Sequence, residues 1–217
     1  MAGRAGETVG GGQGPARRVR LSGEERRRQI IEAAATLFSR KGFRGTTTRE
    51  IAKAVGVSEA MLFKHFATKE ELYAAIIEAK SHPRRLLNTA MEAVERQDDA
   101  EVLRTLARGM IERTRADTTL MRLTYFSALE GHALSDMMFR SRVQELDDFL
   151  SQYIAKRVAA GAFRLVDPLQ AAWNFIGMVA YNIQLRELFR QKPPAHLTTE
   201  RAIEEMVQLF LTGVRRP

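Results

Sequence analysis

Cysteine is absent from the 217 residues. No disulfide framework can exist, and a zinc site would need His and carboxylates alone. The four histidines, His65, His82, His132 and His196, stand far apart, so no metal site is expected. A chain without thiols suits a reducing cytoplasm. No run reaches the roughly 18 consecutive apolar residues of a membrane-spanning helix. Residues 1–20 hold Gly and Arg but no apolar segment, and do not read as a secretory signal. Nowhere does a period-two alternation last long enough for a strand. There is no nucleotide-binding Gly loop after a strand, no paired metal-ligand spacing and no nucleophile motif. No cofactor and no catalytic residue is therefore expected.

What is present is basic and unevenly placed. The net charge is +8. Residues 1–70 carry 14 Lys/Arg against 7 Asp/Glu, whereas residues 71–217 carry 20 against 19. One third of the chain holds nearly all the excess, either as a solvated basic face or as a surface that meets a polyanion. Residues 1–21 are Gly-rich and polar and are expected to be a disordered tail, with Arg17, Arg18 and Arg20 within reach of phosphate.

From Ser22 onward the pattern is helix after helix. Ser22-Gly-Glu-Glu25, Thr47-Thr-Arg-Glu50 and Thr68-Lys-Glu-Glu71 each have the capping-box form. Gly42 and Gly56 suit left-handed helix ends. Ser58 can cap a short helix over 59–65, and the helix begun at Thr68 runs towards residue 80, before Pro83. Further helices are predicted near 84–96, 99–115, 118–131, 135–160, 168–190 and 199–214. The fold class is all-α.

Two short helices about a Gly-centred turn match the DNA-reading helix-turn-helix. Ile51, Val55, Val57 and Leu62 would face inward, and Ala52 would let the second helix approach closely. Ile30, Leu37 and Phe38 of the preceding helix can roof this core. The outward positions left on 59–65 are Glu59, Ala60, Phe63 and Lys64, which would enter or flank the major groove.

The stretch "RRQIIEAAATLFSRKGFRGTTTREIAKAVGVSEAMLFKHFATKEELYAAI" resembles the N-terminal domain of the tetracycline-repressor (TetR) family. The elements "A..LF...G" and "TT...IA..AGVS...LY.HF..KE.L" carry the resemblance, with Val55 in the usual Ala position and Phe63 in the usual Tyr position. It covers residues 24–80, while "GAFRLVDP" followed by "AAWNFIGMVAYNIQLRELF" is similar to the penultimate helix of many members. The resemblance implies an all-α dimer with one reading helix per subunit. Thr48 and Arg49 would meet phosphate or a base edge, though Thr48 can also act only as a helix-start residue. Glu59, Ala60 and Phe63 would lie against bases or the sugar backbone. Glu59 could accept from a cytosine amino group or stay solvated. Lys64, His65 and Lys69 would contact phosphate. Phe63 and His65 could instead pack partly against residues 26–44. Phe63 lacks the hydroxyl of the usual Tyr, which removes one possible phosphate bond.

The remaining two thirds are rich in Met and aromatics at helical spacing, which serve as core or line a site between helices. Candidate effector-pocket residues are Met110, Tyr125, Phe126, Met137, Phe149, Trp173, Asn174 and Met178, with Glu130 and His132 as further polar contacts. A small, largely apolar effector, aromatic or cationic, is expected. Ile176, Val179, Ala180, Ile183, Ile203, Met206 and Phe210 on the last two helices are candidates for a four-helix homodimer interface, or for burial within the subunit. The expected domains are a tail over 1–21, a helix-turn-helix domain over 22–67 and an effector and dimerisation domain over 68–217. Together these describe a regulator, most simply a repressor released from a palindromic operator by a small molecule. An enzyme, an architectural DNA-binding protein and a helical carrier are the alternatives. The first lacks motifs. The second has no need of some 140 residues behind a compact reader. The basic helix-turn-helix argues against the third.

Overall fold

A computed structural model describes residues 22–80, 83–131 and 134–215. The expectation for the tail at 1–21 falls outside these residues, as does His132. The described chain is a succession of helices: α1 (Gly23–Lys41), α2 (Thr48–Val55), α3 (Glu59–His65), α4 (Lys69–Lys80), α5 (Pro83–Glu95), α6 (Asp99–Ala116), α7 (Thr119–Glu130), α8 (Ser135–Phe139), α9 (Glu145–Ala159), α10 (Pro168–Ile183) and α11 (Thr199–Val214). A single antiparallel bridge joins Phe163 to Arg215. Among the described residues no helix is long and apolar enough to cross a membrane.

Side-chain caps set most of the starts. Ser22 Oγ accepts from the Glu25 amide at 3.1 Å, and the Glu25 carboxylate accepts from the Ser22 amide at 2.7 Å. Thr47 and Glu50 form the same reciprocal pair. At α4 the device is shifted by one residue: Thr68 Oγ1 accepts from the Glu71 amide, but the Glu71 carboxylate reaches back to the Ala67 amide. Asp98, Asp167 and Thr198 cap α6, α10 and α11, each accepting from an amide three residues on. Pro168 at the first position of α10 loses nothing, because that amide has no partner inside the helix.

Two helices run on through π turns, Arg140–Gln144 leading into α9 and Gln184–Leu188 extending α10. Apolar spacing does not reveal them, and the sequence reading carries α-helix straight across both. A π turn inserts a residue and re-aims the side chains around it, a distortion common at functional sites.

The apolar side chains form two cores. In the larger one, α5 packs along α6, α10 along α9, and α11 against α6. α5 and α6 cross so closely that a Cβ on Gly109 would collide with Leu86. The other core gathers Ile30, Phe38, Ile51, Leu62 and Phe66 with Leu72, Tyr73, Ile76 and Ile77 of α4. The helix placed in the second domain on sequence thus supplies its apolar face to the first. Leu120 and Leu123 of α7 and Met138 of α8 join the same cluster, so the two cores abut through α7. Between α6 and α9 lies a buried ion pair: the Asp99 carboxylate accepts from Arg157 Nε and Nη2 at 2.7 and 3.1 Å, and from Tyr153 Oη at 2.6 Å.

Candidate nucleic-acid interface

α2 and α3 are held at a fixed angle by a small core and one polar link. Leu62 and Phe66 are fully buried beneath α3, and Ile51 and Ala52 are buried under α2. Gly56 ends α2 with φ 73° and ψ 35°, a left-handed conformation costly for a residue with a Cβ. Thr48 Oγ1 then donates to Glu59 Oε1 at 2.8 Å, tying the first turn of α2 to the first turn of α3. Thr48 therefore does more than begin its helix, and Glu59 has a partner while its side chain stays exposed.

On the outer face of α3, Glu59, Ala60, Phe63 and Lys64 are exposed together. Phe63 is 44% exposed, so it is not packed away against α1. His65 is half-buried and Arg49 is exposed. Met61, 39% exposed, lies on the same face and was missed by the sequence reading, which treats a Met beside Leu62 as core.

Lys69 is a correction. Its ammonium donates to the Phe43 and Thr46 carbonyls at 2.7 and 2.9 Å and sits 4.2 Å from the centre of the Phe43 ring. A cation committed to two carbonyls and an aromatic face is a strut for the α1–α2 loop, not a phosphate clamp. Phe43 also stacks on Phe38, and both meet the Tyr73 ring edge-on, which fixes the loop to α1 and α4. At the loop's other end, Glu50 accepts from Lys41 Nζ at 2.6 Å and from both the amide and the hydroxyl of Thr47. These bonds, the lysine's first, pull its carboxyl down to about 2. The contribution of this group to folding is present above the ordinary Glu range and fades as pH falls towards 2.

The loop is also gripped from the second core. Glu130, at the end of α7, accepts from the Phe43 amide at 3.0 Å and the Arg44 amide at 3.3 Å. The backbone turns beneath it at Gly42, φ 75°, where a Cβ would strike the Glu130 carboxylate. Eight residues earlier on α7, Arg122 Nε donates to the Ser39 carbonyl at 2.6 Å. Tyr73 Oη donates to the Leu123 carbonyl at 3.4 Å. Burial pushes the Tyr73 phenol well above its ordinary value. Glu130, expected as a ligand contact, is instead a clamp on the reading domain. Phe126 stands beside it against Gly42 and away from the effector site it was assigned to.

The other face of α7 borders a cavity of about 210 Å³ among α5, α6, α9 and α10. Met121, Thr124 and Tyr125 line it from α7, and Met110, Arg113 and Thr114 from α6. Tyr125 bonds to the Gln184 side chain in a π turn, and burial raises its phenol above the ordinary value. Val143, in the other π turn, forms part of the wall. Of the expected pocket residues, Met110 and Tyr125 line this space. Phe149 and Met178 pack against the larger core. Met137 is exposed. Trp173 lies 48% exposed on α10, with Nε1 donating to Asp147 Oδ2 at 2.9 Å. Burial raises the Asp147 carboxyl although that bond opposes it. Asn174 is exposed on the outer side of α10 and accepts from Gln170.

The expected dimer residues are largely spoken for inside the subunit. Val179, Ile203, Met206 and Phe210 are buried in the larger core, and Phe210 packs edge-on against Phe175. Ile176, Ala180 and Ile183 line the cavity. Both helices carry apolar residues on more than one face, so spacing alone could not say which face turns inward. The outer face of α10 and α11 instead presents Tyr181 at 59% exposure and Leu209 at 69%.

Comparison with known proteins agrees with this layout. The family profile for bacterial regulatory proteins of the tetR family matches residues 30–76, and the profile for the AefR-like transcriptional repressor C-terminal domain matches residues 100–213. The transcriptional repressor AcnR of Corynebacterium efficiens is 27% identical over 196 residues, 88% of this chain and 93% of that protein. A TetR-family regulator from Mesorhizobium loti superposes with a TM-score of 0.65 at 21% identity, over 91% of this chain and all of that one. AibR, solved in complex with isovaleryl coenzyme A and operator DNA, gives a TM-score of 0.59 at 26% identity, over 85% of this chain and 97% of that one. With the second profile alone spanning more than half of the chain, the protein belongs to the TetR family of bacterial transcriptional regulators, as a DNA-binding repressor and not an enzyme.

Proposed function

We propose that the protein is a homodimeric repressor that binds a palindromic operator through α3 and is released by a small, largely apolar effector. The observation that carries this reading is the two-sidedness of α7. Met121, Thr124 and Tyr125 line a cavity, while Arg122 and Glu130 grip the backbone of the reading domain. A ligand that displaces α7 would therefore displace the α1–α2 loop, and with it Lys69, Thr48 and α3. AibR, holding a ligand and operator DNA in one complex, is a precedent for both partners on one such chain. Linkage requires that DNA weaken effector binding by the factor by which effector weakens DNA binding. The test titrates a ligand found by thermal shift with and without operator DNA. Equal affinity in both titrations would remove that ligand as the signal.

In this reading Arg49, Glu59, Ala60, Phe63, Lys64 and His65 approach DNA, with Met61 added. Lys64→Ala is expected to weaken binding to every sequence and to reduce the slope of log K against log salt by about 0.9. Lys69→Ala should leave the slope unchanged and lower the melting temperature, because its ammonium holds the α1–α2 loop. Changing Glu59 should alter which operators are preferred. Salt titrations by fluorescence anisotropy separate the three, and a slope unmoved by Lys64→Ala would remove that phosphate contact.

The dimer face moves to the outer sides of α10 and α11, about Tyr181 and Leu209. Two copies paired there would present two reading helices to half-sites about 34–36 Å or a multiple apart. The pair Tyr181→Asp and Leu209→Asp should convert dimer to folded monomer in sedimentation while helical content is retained. A dimer that persists would place the interface elsewhere.

A further inference from the structure

The cavity beside α7 carries a charge that its apolar walls do not explain. Nine of its thirteen lining side chains are hydrocarbon or thioether, and three are hydroxyl-bearing. The remaining one is Arg113, and no carboxylate lines the space. Arg113 and Leu86 also border a second, more polar groove of about 550 Å³ that contains Arg108, Lys80, Glu112 and Asp117. Lys80 is bonded to Glu32 and to Asp117, which offsets one acid of that groove with one base. Arg113 thus stands where an apolar chamber meets a polar opening, with the exposed Arg108 beyond it.

We infer that the effector is an amphipathic anion, its hydrocarbon part in the inner cavity and its single negative group at Arg113. The inference rests on the reading of this cavity as the effector site. It also replaces the sequence expectation that allowed a cationic ligand. A cation carried into this chamber would lose its hydration and gain no carboxylate, while facing a guanidinium. A carboxylate gains a charge-assisted pair with geometry suited to a guanidinium fork. The size follows from the volume. About 210 Å³ is roughly seven water volumes at ~30 Å³ each. That is the scale of a medium-length acyl chain or a single substituted ring, and less than the ~300 Å³ at which sites for drug-sized molecules begin. The two π turns supply wall positions that a regular helix would not: Val143 faces the cavity from one, and Gln184 of the other holds Tyr125 in place.

Three probes of matched tail separate charge from apolarity: octanoate, octan-1-ol and octylamine, each titrated into the full chain by calorimetry. Octanoate should bind best and octylamine worst. In Arg113→Gln, octanoate affinity should fall about 10- to 100-fold, the scale of a lost hydrogen bond to a charged group, while octanol affinity stays unchanged. Arg113→Lys should retain most of the preference for octanoate. Unchanged octanol binding also reports that the variant's cavity is intact. If octanol binds as tightly as octanoate to the natural chain, or if Arg113→Gln leaves the preference untouched, the anionic assignment is overturned while the cavity reading stands. If none of the three binds at millimolar concentration, both fall together.

Discussion

Replacing Asp99 with Ala should cost about 3–5 kcal/mol of stability, the scale of a buried ion pair that loses one partner. The carboxylate is 6% exposed and receives three donors, two from Arg157 and one from Tyr153. Its removal leaves a guanidinium that is 14% exposed and a buried phenol without their acceptor. Arg157 keeps a single bond from Nη1 to Gln97, and its ring contact with Phe163 at 5.8 Å is long. The buried carboxylate helps to hold the Tyr153 phenol far above its ordinary value, after burial itself, so the hydroxyl is a donor at every working pH. A total stability of about 5–15 kcal/mol is usual for a domain, so the loss removes a third or more of it. Urea denaturation at fixed protomer concentration gives the number, as a lower midpoint with unchanged slope. Asp99→Asn should fall between, because one oxygen remains to accept. A loss below about 1 kcal/mol for Asp99→Ala would mean that the pair does not hold α6 to α9.

The contrast between what could be read from the sequence and what could not follows the range of the interactions. Ser22 with Glu25, Thr47 with Glu50, and Gly42 and Gly56 act within one helical turn, so local pattern is enough to place them. The outward face of α3 is legible for the same reason, since Leu62 and Phe66 turn the other residues out. Lys69 is different. Its two carbonyl partners are 23 and 26 positions away, and a lysine at a helix start beside a basic domain looks like a phosphate contact until the loop is in place. The α4 assignment fails on a related ground, because an apolar helix face gives no sign of which core it joins. Val179, Ile203, Met206 and Phe210 were set against a partner subunit when they fill their own. Trp173 and Tyr181 on the same helix stay exposed, and periodicity cannot rank several apolar faces. The π turns leave no trace in spacing at all.

Glu130→Ala should lower operator affinity about 10- to 100-fold without changing what binds in the cavity. The carboxylate accepts from the Phe43 and Arg44 amides across 87 and 86 positions of sequence. Bonds of this charged kind are worth about 1.5–3 kcal/mol. Without them the α1–α2 loop keeps the Phe43 ring contacts and the Lys69 strut but loses its tie to α7. The reading domain then samples positions in which the two copies of α3 do not fit one duplex together, and the apparent affinity falls by the fraction of time the competent arrangement is lost. Because the cavity is bordered by the opposite face of α7, through Met121, Thr124 and Tyr125, ligand binding should persist. What disappears is coupling. In the natural protein, ligand and operator should weaken each other by equal factors, about 5- to 150-fold for 1–3 kcal/mol. In Glu130→Ala that factor should approach one. Glu130→Gln keeps one carbonyl oxygen for the two amides and should lie between. The measurement is an anisotropy titration of operator DNA with and without octanoate, on natural and variant protein, at one salt concentration. Weak DNA binding with coupling intact would show that α7 is a brace only and that the signal travels elsewhere. DNA affinity unchanged in the variant would show that the clamp does not set the position of the reading helix.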